Sequence, residues 1–352
     1  MPKKTWIILL IILSISLSII GCASHSAQEA PSKTTITDSN GTQLVIPTKI
    51  NRIADSWPAH NEVLCMLGVG QSIVATTPFA KSPWMCKINP QFNNAAQVFG
   101  GDDTHIEELL KAKPDIVFVH NKTKNIPQIT ALGIPTIRLT LSDFASLKEC
   151  VKLTGTILGG ESSQRAAEYI TYLDEKTNLI SARTAAIPQS QKPRVLHISS
   201  VKPLTVNGKD TLMNAWIELA GGINAAEVSS YSQEVSLEQI ISWSPDIIIF
   251  SSTALPGTST ALADFINNAS WQRLSAVKKG AVYINPEGAF YWDRHGIELA
   301  LQIQWAAKIF HPDKFADFDI TKETQYFYKK FFNYDLSTDE TARIIAALPP
   351  AE

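Results

Sequence analysis

The sequence predicts an α/β protein of two similar lobes joined by one long rigid helix, with a ligand cleft between the lobes. Three observations carry that expectation. Residues 106–119, "IEELLKAKPDIVFV", and 237–250, "LEQIISWSPDIIIF", spell nearly the same unit: a helix stopped before a Pro-Asp pair, then a buried strand rich in β-branched residues. Strand-like and helix-like runs alternate on both sides of each unit, which is the pattern of parallel sheets covered by helices. Between the two sets, residues 161–187 contain neither Gly nor Pro and keep an amphipathic period through Ala166, Tyr169, Ile170, Leu173, Leu179 and Ile180.

Taken in order, Lys3 and Lys4 precede an apolar run at 6–20, too short to span a bilayer comfortably and suited to a signal peptide over residues 1–21. Its end, Gly21-Cys22, fits either a lipoprotein signal whose Cys22 is lipidated or an ordinary signal peptide cut nearby. Residues 22–35 are small and polar and read as a flexible tether. An N-terminal lobe is expected over 36–158, with strands at 51–55, 115–120 and 134–140 and a glycine-terminated helix at 61–70. The linking helix occupies 159–188. A C-terminal lobe over 189–352 repeats the plan with strands at 193–199, 246–250 and 280–286, a helix at 211–222, and further helices to the end.

At 352 residues the chain suits two cores, and 45% hydrophobic with 18% charged residues is globular composition. A net charge of −2 without a basic stripe argues against a nucleic-acid partner. Cys65, Cys86 and Cys150 lack CxxC spacing, so a cysteine cluster is not expected, and at most one disulfide can form among them.

Ligands of doubly wound sheets bind beyond the carboxyl ends of the strands. In the first lobe the loops there offer Trp57 and His60, then Phe79, Trp84, Met85 and Lys87 in a proline-rich loop at 76–92, then Phe99. In the second lobe they offer Tyr231 and the run Phe290, Tyr291, Trp292, Asp293, Arg294 and His295. Aromatic walls with few charges suit a large, flat, polarizable ligand. Each residue has a plainer role open to it. Trp57 is a ligand wall or a hydrophobic plug, and Arg294 clamps an anion or pairs with Asp293. His60 and His295 approach a metal within a chelate or serve as structural hydrogen-bonding groups, and His120 and His197, at strand ends, also point toward the cleft. A bare nickel, zinc or manganese ion held by His60, His197 and His295 is an alternative. An enzyme is disfavoured, because no GxGxxG follows a first strand and no phosphate loop occurs.

The Gly21-Cys22 signal, the paired lobes, the single linking helix and the duplicated "E…PD" units together resemble the solute-binding proteins of bacterial ABC importers for ferric siderophores, haem and cobalamin. The likeness extends from about Ile36 to Ala346, and "YWDRHGIELALQIQWAAKIFHPDKF" (291–315) is similar to the C-terminal helices of its iron-complex members. The resemblance implies two Rossmann-like lobes, a non-enzymatic monomer without a cofactor of its own, and a metal chelate as ligand. It also implies a lipid anchor at Cys22 on the outer face of the cell membrane and an ABC permease dimer with its ATPase subunits as partner. In the resembled family, glutamates at the places of Glu107 and Glu238 meet arginines on the permease. The helix dipole alone also favours an acid in each first turn.

Overall fold

The computed structural model describes residues 32–100, 103–255 and 259–351. The expected signal peptide, Cys22 and most of the tether lie outside the described residues. Where the tether was expected to end, a β-hairpin has already begun: Lys33–Thr37 pairs antiparallel with Gln43–Pro47, and its turn is closed by Asp38, whose Oδ1 accepts from Asn40 N and Thr42 N.

The first sheet has five parallel strands in the spatial order Ala96–Gln97, Ile73–Thr76, Ile53–Asp55, Ile116–His120 and Thr136–Leu139. Chain order reverses between Ile53–Asp55 and Ile116–His120, and that reversal opens a crevice at their carboxyl ends. The second sheet is mixed. Arg194–Val201 pairs in parallel with Ile223–Asn224 on one side and Ile247–Phe250 on the other, and Val282–Ile284 follows in parallel. Its antiparallel arm, Leu204–Val206 and Gln233–Glu234, falls in stretches expected to be loop.

The duplicated unit has a local physical cause. Each helix ends on a left-handed residue, Lys113 and Ser244, both at φ 47°, just before the proline. The aspartate that follows then reaches the first strand of its own sheet: Asp115 Oδ2 accepts from Asn51 N and Arg52 N, and Asp246 Oδ2 from Arg194 N. Arg52 and Arg194 in turn donate to the helix-end carbonyls of Ala112 and Trp243. Helix end and strand start are thus tied together in the same way in both sheets.

The linking helix runs Gly160–Thr184, 25 residues and so about 37 Å at ~1.5 Å per residue. Helices Leu299–Phe310, Ile320–Phe332 and Thr338–Ile345 close the chain. One apolar cluster runs through Ile53, Trp84 and Phe118, through Tyr169 and Leu173 of the linking helix, and on to Val195, Trp216 and Phe310. The two sheets therefore share a core across the rod.

Candidate functional site

A cleft of 350 Å³ lies at the strand-order reversal of the first sheet. Ser56 and Trp57 form one edge, where Ile53–Asp55 turns into the helix Pro58–Met66. The helix starts at Pro58 and ends at Met66, earlier than the expected 61–70, because Pro58 suits a first helical position, where its fixed φ starts the helix. His120 to Thr123 follow the neighbouring strand, and Thr140 to Ser142 follow the last one. Tyr231 and His295 supply the opposite wall.

Each wall is braced from below. Asp55 is fully buried; its Oδ1 accepts from Trp57 N at 2.9 Å and its Oδ2 meets His60 Nδ1 at 2.8 Å, while His60 Nε2 meets Thr154 Oγ1. Trp57 packs edge-on against His120, ring centres 4.6 Å apart. In the other lobe buried Asp293 meets His197 Nε2 at 3.0 Å, and His197 Nδ1 meets Asn207. Burial alone would raise Asp293, but the hydrogen bond and charge of His197, with Arg294 nearby, hold it below its ordinary value.

The electrostatics favour negative charge. None of the residues lining the cleft is Asp or Glu, while Lys122 is among them. Burial depresses His295 to about 4, helped by His120 and Arg294. Burial also lowers His120, aided by Lys122, so both imidazoles are neutral near pH 7. His120 Nδ1 accepts from Lys122 N, which leaves its proton on Nε2. Arg294 lies over the Tyr291 ring at 5.2 Å and donates to Thr253 Oγ1. Its Nε stands 3.9 Å from Asp293, a loose contact, since that carboxylate is engaged by His197. Asn121 Oδ1 is buried without a partner, its Nδ2 being spent on Thr140.

The structure brings together Trp57, Tyr231 and His295, with Tyr291 and Arg294 close by. It does not bring the other candidates to the cleft. His60 is fully buried with both ring nitrogens occupied. Trp84 and Met85 lie in the core, Trp84 donating to Leu348 O. The prolines of that loop start a helix instead of preventing one: Pro83 takes the first position of Pro83–Ile88, capped by Ser82, and this turns both side chains inward. Phe99 is buried in a separate small cluster. Phe290 is buried against Tyr291, and Trp292 is fully buried, donating to Glu298 Oε1. Phe79 is 67% exposed and lines no part of the cleft. His197 is likewise consumed by its buried partners, so the three-histidine metal site is not assembled. Among the described residues, no group of three His, Cys, Asp or Glu is placed to hold a metal ion. Lys122, Asn121, Thr123, Thr140 and Ser142 were missed by reading the sequence. Their one signal is that they follow strand ends.

Glu107 and Glu238 are both exposed, each the second residue of its seven-residue helix.

A parallel sheet with its ligand crevice at the strand reversal, paired with a second lobe across a rigid helix, is the build of a binding protein. A family model described as "Periplasmic binding protein" matches residues 57–289, and the chain belongs to that family. It is 26% identical over 336 residues to the molybdate-binding protein MolA of Haemophilus influenzae, spanning 88% of this chain and 93% of MolA. It is 22% identical to the iron(3+)-hydroxamate-binding protein YxeB of Bacillus subtilis over 77% of this chain and 83% of YxeB. Among solved structures, a periplasmic solute-binding protein from Veillonella parvula superposes with a TM-score of 0.79 at 28% identity, covering 89% of this chain and 97% of that one. Molybdate-bound MolA superposes at 0.77 and 24% identity, covering 86% and 99%; at that identity the likeness speaks to the fold.

Proposed function

We propose that this protein is the extracytoplasmic receptor of an ABC importer and captures a compact anionic ligand, either an oxyanion of the molybdate kind or a small anionic iron chelate. The observation that carries the reading is a cleft lined by Lys122 and by hydroxyl and amide groups, with no acidic side chain among its walls and Arg294 next in the chain to the wall residue His295. Charge-assisted hydrogen bonds from such groups are the strong ones for an oxyanion. At 350 Å³ the cleft is at the small end for ligand sites. Of the aromatic residues that argued for haem or cobalamin, Trp84, Phe99, Phe290 and Trp292 are buried and Phe79 lies off the cleft, which leaves Trp57 and Tyr231 as its aromatic lining. Relatives that bind molybdate and Fe(3+)-citrate, both anionic, support the reading. The partner in this reading is a permease dimer with its ATPase subunits, met through Glu107 and Glu238, with the receptor held at the membrane through Cys22. The protein is not an enzyme in this reading.

Calorimetric titration with molybdate, ferric citrate, a ferric hydroxamate, haem and cobalamin tests it. Binding of molybdate or ferric citrate, with haem and cobalamin inert, is the expected result, and binding of the uncharged ferric hydroxamate alone counts against the anionic reading. Tight haem or cobalamin binding without any response to the anions overturns it.

A further inference from the structure

Beneath the cleft, two carboxyl groups from opposite lobes meet in the dry interior. Glu62 lies on the helix that starts at the cleft edge, and Glu298 caps the helix Leu299–Phe310; both side chains are fully buried. Each carboxyl feels the other's charge, and both hold the same stretch of backbone, so the two are neighbours in the interior. The segment between them in space is 288–297, which carries Tyr291, Arg294 and His295. It is gripped at both ends: Glu298 Oε2 accepts from Phe290 N and Glu62 Oε2 from Ile297 N. Glu298 Oε1 also accepts from Trp292 Nε1 and from Tyr328 Oη. The segment is cut to receive these groups. A Cβ on Gly296 would stand 2.2 Å from Glu62 Oε2, and one on Gly288 would stand 2.3 Å from Glu298 Oε1.

Among the described residues, no cation is placed to compensate the pair. The titratable groups facing it are Tyr169 of the linking helix, Tyr328 of the C-terminal helices, and Cys65 on the same helix as Glu62, all neutral or acid-forming. Two neighbouring buried carboxylates cannot both ionise cheaply. Glu62 Oε1 is buried and accepts no hydrogen bond, which leaves it free to carry the proton.

Building on the reading of the cleft as the ligand site, we propose that Glu62 and Glu298 share one proton and act as a positioning pair, which holds the loop bearing Arg294 and His295 in register with the opposite lobe, so that ligand capture weakens once the proton is lost. The electrostatics agree. Burial, then the charge of Glu298, pushes Glu62 well above its ordinary range, and burial lifts Glu298 to about 7.

Infrared spectroscopy, thermal melting and titration with molybdate and ferric citrate, each across about pH 5 to 9, test the pair in the wild type, Glu62→Gln and Glu298→Gln. The wild type should show a buried carboxylic-acid band that bleaches as pH rises, a melting temperature that falls over the same range, and an anion affinity that drops about tenfold for each pKa unit of coupling. Glu62→Gln, an uncharged mimic of the protonated state, should lack the band and flatten both profiles, and Glu298→Gln serves as the check where Glu62→Gln does not fold. Melting profiles of a folded variant that superpose on the wild type, or no acid band in the wild type, would overturn the proposal. If neither anion binds the wild type, the ligand reading fails, while the band and the melting profile still judge the pair.

Discussion

Asp115 accepts the backbone N–H of Arg52 at 2.9 Å, and Asp246 does the same for Arg194 at 3.0 Å in the other sheet. The repeated Pro-Asp is thus a fastening between helix end and first strand, separate from whatever the repeated glutamates do. Asp115→Ala or Asp246→Ala leaves strand-start N–H groups without their acceptor and should cost about 1–2 kcal/mol, a usual loss for a hydrogen bond to a charged group. Urea unfolding measures it, and ligand affinity should not change.

The sequence was most readable where local rules act alone. Hydrophobic period, helix stops and the duplicated unit pointed to three parallel strands of each sheet and to the linking helix, because those signals depend on neighbours in the chain. The parallel strands Ile73–Thr76, Ala96–Gln97 and Ile223–Asn224 were not expected. Side-chain direction was not legible. Trp84 and Trp292 look alike in sequence to Trp57, yet their indole N–H groups find Leu348 O and Glu298, far away in the chain or reached only through the fold. Nor does the sequence show that Glu62, fifth residue of Pro58–Met66, is buried and accepts from Ile297 N, 235 residues further on.

The same contrast separates two kinds of tryptophan variant. Trp84→Ala and Trp292→Ala each empty a packed core site and should destabilise by about 3–5 kcal/mol. Trp57→Ala, at the half-buried cleft edge, should leave unfolding nearly unchanged and weaken ligand binding by about 1–2 kcal/mol. Denaturation and calorimetry on the three variants would expose a misplaced cleft if Trp57→Ala proved silent in binding.

Charge in the cleft should come from Lys122 and Arg294 at neutral pH. Replacing either by Ala should cost about 1.5–3 kcal/mol of affinity for an anion. His295 adds a pH dependence with a definite sign. Its pKa is depressed to about 4 from 6.5 in the folded protein, so the stability it contributes is present above 6.5 and is lost as pH falls toward 4. A bound anion favours the imidazolium, so anion affinity should rise over that same fall in pH, and His295→Gln should remove the rise.

Glu107 and Glu238 face solvent at equivalent positions in the two lobes. A matched pair suits a two-fold partner, and rim charges chiefly steer and orient docking. Changing both to Lys should abolish uptake in cells while stability and ligand affinity stay within experimental error of the wild type. Uptake at the wild-type rate would reduce these glutamates to helix-dipole partners worth ~0.3–1 kcal/mol each.

The core that crosses the linking helix also sets the order in which the chain can become a protein. Trp84 waits for the carbonyl of Leu348, Tyr169 for that of Ile297, and Arg165 for that of Phe331. These residues therefore lack their partners until residues 128 to 264 positions further along have been made. The face of the first sheet that joins the shared core thus closes late, while its other face has a small cluster of its own. The core that the two sheets share closes only when both are present, so neither can melt without opening the other's inner face, and a calorimeter should record one melting peak for the pair.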